Sequence, residues 1–135
     1  MSSQYIEDKY PHSEKFKFGD NDKLCTELIE LVRIGNKTAT CGALRDIESG
    51  NEAMPTIGRV DIVLNWDGTP ALAIRTKSVE IIRFCDVTEE FALLEGENES
   101  LSGWQEDHKN YFERNGGFEL QMELVCECFE LVEIF

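Results

Sequence analysis

Gly35-Asn36-Lys37-Thr38-Ala39-Thr40 (G-N-K-T-A-T) stands where a patterned helix should stop and a strand should start. Upstream, Leu24, Leu28, Leu31 and Val32 recur at helical spacing from Asp22 to Ile34, with Ile29 and Ile34 widening the apolar stripe. Asp20 or Asn21 can cap the start of this helix. Gly35 can end it by taking the left-handed conformation. The residues that follow are rich in β-branched side chains, so the chain should enter a strand at once. Lys37 and Thr40 then lie on or beside a rigid element. Positions three apart in a strand point to opposite faces, so the two groups converge only if the chain turns between them. A solvated lysine and a threonine suited to a strand are the plain alternative.

Toward the N-terminus, residues 1–15 mix charge with a few aromatics and predict a loosely attached arm or a short helix. Phe16-Lys17-Phe18 alternates like a brief extended segment, and Gly19-Asp20-Asn21 is turn chemistry. In the other direction, Arg45 to Met54 is a polar excursion and Pro55 to Gly58 a turn into a strand. Val60, Ile62 and Leu64 alternate along that strand. Asp67-Gly68 predicts a two-residue hairpin, with Ala71 to Arg75 as the returning strand. Thr76 to Phe84 is a third strand or a continuation. Thr88 can cap a short helix through about Leu94. Leu101, Trp104, His108, Tyr111 and Phe112 mark an aromatic helix face ended by Gly116-Gly117. Phe118 to Phe135 predicts a long closing strand or two. Strands outnumber helices and the hairpin is antiparallel, so the expected class is α+β with a curved or closed sheet.

The 135 residues fit one domain, with 41% hydrophobic and 30% charged side chains, a globular composition. Twenty-seven acidic residues against 13 basic ones give a net charge of −14. Such a surface repels phosphate backbones, which argues against duplex nucleic acid as a partner. It leaves open a small neutral ligand or a local basic pocket. No stretch has the pattern of a signal peptide or the roughly 20 apolar residues of a membrane span. The five cysteines contain no C-x-x-C pair, and reduced thiols in a cytoplasm are the simplest expectation. Cys126 and Cys128 share a strand face without the other soft ligands a metal would need, so no metal is expected.

A second polar cluster, Glu95-Gly96-Glu97-Asn98-Glu99-Ser100, lies between the two later helices. It is either an acidic linker with capping side chains or the source of a carboxylate that faces a pocket and meets a lysine there. Trp104 and His108, one turn apart, divide the same way between core stripe and pocket rim.

Taken in order, these pieces resemble the ASCH domain family of the PUA-like superfamily. The matching run is F-x-F-G (Phe16 to Gly19), L-x-x-L-V-x-x-G-x-K-T-A-T (Leu28 to Thr40) and D-G-x-P (Asp67 to Pro70). D-V-T-E-E-F-A-L-L-E-G-E (Asp86 to Glu97) and S-L-x-x-W-x-x-x-H-x-x-Y-F (Ser100 to Phe112) complete it. The likeness runs from about Phe16 to the C-terminus, giving a domain over 16–135 behind an arm over 1–15.

The resemblance implies a small β-barrel of about five to six mostly antiparallel strands, with helices packed at its mouth. It also implies a pocket linked to RNA or modified nucleobases and, in a short bacterial branch, amidohydrolase activity on cytidine acylated at its exocyclic amine. Carried over by residue, the acting groups are Lys37, Thr40 and Glu95. Phe18, Gly35, Thr38, Glu97, Trp104 and His108 are expected around the ligand. No cofactor is implied. The partner is then a nucleoside or single-stranded RNA, and the alternatives are a non-catalytic RNA-binding module, with Trp104 or Phe18 stacking a base, and a ribonuclease. In the catalytic reading a lysine of lowered pKa takes the threonine's proton, while pairing with Glu95 would instead make Lys37 an electrostatic anchor. The motif continues Cys41-Gly42-Ala43, where the short branch has a basic residue, and so resembles the longer E-G-E…W…H branch.

Overall fold

The computed structural model describes residues 3–135. Helix α2 (Asp22–Arg33) forms as its apolar period predicts: the Asn21 side chain accepts from the Leu24 backbone N–H at its start, and Gly35 leaves it at φ +87°. Its buried face, Cys25, Leu28, Ile29 and Val32, packs on Phe18, Val63, Leu72, Ile74 and Phe129. That contact ties the helix to one side of the sheet.

The sheet has five strands: β1 (Lys15–Phe16), β2 (Ala39–Ala43), β3 (Val60–Leu64), β4 (Pro70–Arg83) and β5 (Glu123–Ile134), in the order β1-β3-β4-β5-β2. β1 runs parallel to β3, and the other three pairings are antiparallel. Thr76 to Arg83 continues the strand begun at Pro70, and irregularities at Ala73/Ile74 and Thr76/Ser78 sit where β4 meets β5. Such bulges raise the local twist and let a long ladder bend. The ladder ends at β1 and β2, which do not pair with each other, so the expected closed barrel is an open sheet in hydrogen-bonding terms. With two residues, β1 offers too little backbone to close a ring. The hairpin also differs from expectation. Five residues, Asn65 to Thr69, join the strands, because Asp67 accepts from both the N–H and the hydroxyl of Thr69 and Gly68 takes φ +91°.

Helices α4 (Glu89–Leu94) and α5 (Leu101–Arg114) are capped by Thr88 and Ser100. They cover a second core in which Trp104, Phe84 and Phe112 meet Ala43, Leu124 and Cys126. A short α3 (Leu44–Glu48) follows β2, and its Arg45 donates to the carbonyls of Asn115 and Gly117, pinning the end of α5. Helices therefore pack on both cores rather than at a barrel mouth.

The N-terminal stretch takes the short-helix form, α1 (Ser3–Lys9). Ile6 is fully buried in a third cluster with Ile62 and Ala73, and the Tyr5 and Tyr10 hydroxyls both donate to Glu133 at 2.6 Å. Among the described residues no helix is long and apolar enough to cross a membrane.

Candidate functional site

The G-N-K-T stretch and the E-G-E stretch, some sixty residues apart, meet through their backbones. After α2 the Leu31 carbonyl accepts from both Asn36 and Lys37, turning the chain sharply toward β2. Thr38 then donates to the carbonyl of Leu94, the last residue of α4. Gly96, at φ +75°, lies directly on the Asn36 carbonyl, where a Cβ would overlap it. Only glycine combines that conformation with that approach. The turn demanded by the K-x-x-T spacing exists, and the linker after α4 is seated on it.

This seating buries Lys37 and Glu95, each 2% exposed. Lys37 Nζ donates to Glu95 Oε1 and the Glu95 carbonyl, both at 3.4 Å, and to Glu97 Oε2 at 3.0 Å. It lies 5.5 Å from the centre of the Phe18 ring, a cation–π distance. Glu95 Oε2 accepts from the Trp104 indole N–H at 2.6 Å and faces His108 Nε2 at 3.6 Å. His108 stacks on Trp104, 4.2 Å between centroids. Its Nδ1 lies 2.8 Å from the Trp104 carbonyl and donates there, since a carbonyl can only accept.

Burial alone would lower the Lys37 pKa, but the Glu95 and Glu97 carboxylates outweigh it and hold the ammonium above its ordinary value. Burial would raise Glu95; Lys37 and His108, with the Trp104 N–H, overcome it and keep the carboxylate ionised well below its usual range. The desolvated lysine of lowered pKa that the catalytic expectation required is thus absent. Lys37 is a cation with three acceptors. Burial also opposes the charge on His108, yet Glu95 raises its pKa.

The raised histidine has a measurable consequence. A folded-state pKa above the unfolded value of about 6.5 contributes stability that is fully present below that value and is lost as pH rises through the folded pKa. Denaturant unfolding of wild type and His108→Gln across this range is expected to show wild type losing stability with rising pH relative to the variant. A gap that does not change with pH would contradict the charged pairing of His108 with Glu95.

A cleft of about 830 Å³ opens above this network. Phe18, Lys37, Thr40, Glu95, Glu97 and His108 line it; Gly35, Thr38 and Trp104 do not. Trp104 is 0% exposed, so it supports Glu95 from below and has no free face for a base. Gly35 serves the helix terminus, and Thr38 is exposed with its backbone tied to Leu94 and Phe129. Thr40 faces the cleft with no hydrogen bond to Lys37 and none elsewhere from its side chain.

The sequence reading passed over Glu127, Asp61, Arg59 and Cys41, all in the cleft wall. Successive strand residues point to opposite sides, so β2 at the sheet edge sends Cys41 toward Glu95 and His108 and Thr40 toward its cross-strand partner Glu127. Ligand atoms of Cys41, Glu95 and His108 lie within 4.8 Å of one another. A cation there would compete with the Lys37 ammonium for Glu95, and burial with the Glu95 charge keeps the Cys41 thiol neutral, far above its ordinary pKa. The donor set suits a charge-neutralised protein network better than a metal.

The sequence model of the ASCH domain matches residues 14–133. The chain is similar to the ASCH domain of Lactobacillus crispatus JV V101, at 32% identity over 96% of this chain and 86% of that one, with a TM-score of 0.81. It is similar also to protein EF3133 of Enterococcus faecalis V583, at 34% identity over 97% and 85%, TM-score 0.84. Hypothetical protein PH0355, at 18% identity over 88% and 100% and a TM-score of 0.57, shares the fold alone. No curated protein matches the chain. With the family's sequence model covering nearly the whole chain, and α+β structures above 30% identity superposing along its length, the protein belongs to the ASCH domain family.

Proposed function

We propose that the cleft binds an uncharged nucleobase or nucleoside in a cytoplasmic setting and supports hydrolysis of an amide on it, with N4-acylated cytidine as the substrate class. The observation that carries this is the charge balance of the cleft wall. Eight carboxylates line it against five lysines and arginines. Those cations are committed: Lys37 to Glu95 and Glu97, Arg59 to Asp61, Arg114 to Asp20, Lys15 to Glu7, and Lys17 over the Trp66 ring. A phosphate entering would meet acidic excess and no free guanidinium, which disfavours RNA and nucleotides alike. A neutral ligand meets hydrogen-bonding groups at no such cost.

In this reading Thr40 is the oxygen nucleophile, because its hydroxyl faces the cleft unpaired. Lys37 supplies fixed positive charge for the oxyanion, with Glu97 as the exchangeable partner: that carboxylate is 20% exposed, against 2% for Glu95. His108, kept charged by Glu95 and with both ring nitrogens committed to Trp104 and Glu95, holds Glu95 in place from the Cys41 side of β2. The Thr40 proton passes to a carboxylate of the wall, since Lys37 is no base, and from there to the departing amine. The C–N bond breaks, the acyl group stays on Thr40 as an ester, and water hydrolyses that ester to the free acid and restores the hydroxyl. Incubation of wild type and Thr40→Ala with acylated cytidines, followed by chromatography, is expected to show cytidine released by wild type alone, with both proteins melting at the same temperature. Equal product from the variant would remove Thr40 from the chemistry. Cleavage of short RNA with no nucleoside turnover would replace the reading with a ribonuclease.

A further inference from the structure

Glu127 sits where an apolar residue is expected. Val125, Glu127 and Phe129 alternate onto one side of β5, and both neighbours are buried side chains of the core. Glu127 is 7% exposed, with no cation bonded to it. The nearby Arg59 guanidinium is bound to both oxygens of Asp61, at 2.7 and 3.0 Å, and to Met54 and Thr56. One Glu127 oxygen, Oε2, accepts from the buried Thr76 hydroxyl at 2.6 Å. The other, Oε1, has no hydrogen-bond partner, yet it is not among the sealed, unsatisfied atoms of the described residues, so it reaches the cleft that Glu127 lines. A buried carboxyl costs stability unless something compensates it. Burial raises the Glu127 pKa, and the Thr76 hydroxyl only partly offsets this.

We infer that Glu127 is a specificity residue of the cleft: its Oε1 accepts a hydrogen bond from an N–H of an uncharged ligand, the exocyclic N–H bearing the acyl group, and so sets the scissile amide beside Thr40. Three placements support this. Glu127 is the direct cross-strand partner of Thr40, so the two side chains lie on the same side of the sheet. Thr76, on β4, fixes the carboxyl from behind and leaves one oxygen forward. The forward oxygen is an acceptor with no internal donor, in a wall already rich in carboxylates, which selects a donor-bearing ligand and rejects an anionic one. The inference rests on the nucleoside reading of the cleft and adds the group that recognises the ligand.

The test is binding by isothermal titration of N4-acetylcytidine and of its N4-methyl derivative, a tertiary amide with no N–H. It compares wild type with the double variant Glu127→Met/Thr76→Val and with Thr40→Ala. Replacing both members of a buried hydrogen-bonded pair by apolar groups of similar shape is near neutral or stabilising, so the double variant is expected to melt no lower than wild type. Wild type and Thr40→Ala are expected to prefer the secondary amide by about 10- to 100-fold, the range of a hydrogen bond to a charged acceptor. The double variant is expected to bind both amides alike. A preference that survives in the folded double variant overturns the assignment of Glu127 while leaving the nucleoside reading standing. Wild type binding neither amide overturns the nucleoside reading, and this inference with it.

Discussion

Lys37→Met is expected to destabilise the protein by about 3–5 kcal/mol, the cost of leaving one member of a buried ion pair without its partner. The stem of methionine fills the volume of the lysine, so the loss is electrostatic. Glu95 would keep the Trp104 N–H and His108 but lose the cation that most lowers its pKa. The pH dependence gives the sign. In wild type the depressed Glu95 pKa contributes stability that is present above the unfolded carboxyl range and lost as pH falls through the folded pKa. In the variant burial dominates and Glu95 resists ionisation. The gap between the two proteins should therefore narrow as the pH falls toward the carboxyl range. Adding Glu95→Gln to Lys37→Met should recover much of the loss at neutral pH, because the unpaired charge is then gone. Chemical denaturation of the four members of this cycle checks both statements; full additivity would mean that Lys37 and Glu95 are not coupled.

Gly96→Ala is expected to be the most damaging single-methyl change in the chain. The left-handed conformation costs about 1–2 kcal/mol for an L side chain. Overlap with the Asn36 carbonyl adds about 1–3 kcal/mol unless the linker lifts away. Lifting it would separate Glu95 and Glu97 from Lys37, so ligand binding should fall with stability. Gly35→Ala is the internal control: its φ, +87°, is also positive, but the space around its Cβ is open, and it should show the conformational cost alone. Thermal melts of both variants, with equal losses at the two positions, would deny that the E-G-E linker is packed on the K-x-x-T turn.

Elements whose causes are local were legible in the sequence. The period, cap and glycine of α2 lie within fifteen residues, and Thr88 and Ser100 cap α4 and α5 from one residue outside. The hairpin was legible as a hairpin but not in its length, since the Asp67–Thr69 hydrogen bonds that widen the loop compete with the two-residue turn. Closure of the sheet was not legible, because it depends on how β1 and β2, distant in sequence, lie across three other strands. The meeting of Lys37 with Glu95 was suggested by the family resemblance rather than by spacing. What enforces it is Gly96, whose role appears only when its neighbour Asn36 is in place. Glu127 was hidden for a different reason: β5 is buried on both faces around its middle, so Leu124, Cys126 and Cys128 offered one alternation and Val125, Glu127 and Phe129 another. A strand covered on both sides gives no polar face against which a functional carboxylate stands out. Trp104 was legible as buried aromatic surface, while its N–H contact with Glu95 depends on the fold of the linker.

The most direct measurement is the affinity for N4-acetylcytidine of the Thr40→Ala protein, which binds without turnover, by isothermal titration at about 50 and about 200 mM salt, beside a short single-stranded RNA. Each phosphate neutralised steepens the salt dependence, and six to ten such contacts cost about 10³–10⁵ in affinity across that range. A cleft whose cations are all paired predicts nucleoside binding that scarcely changes with salt, and little or no binding of the RNA. Tight RNA binding that collapses with salt, with no heat from the nucleoside, would contradict it.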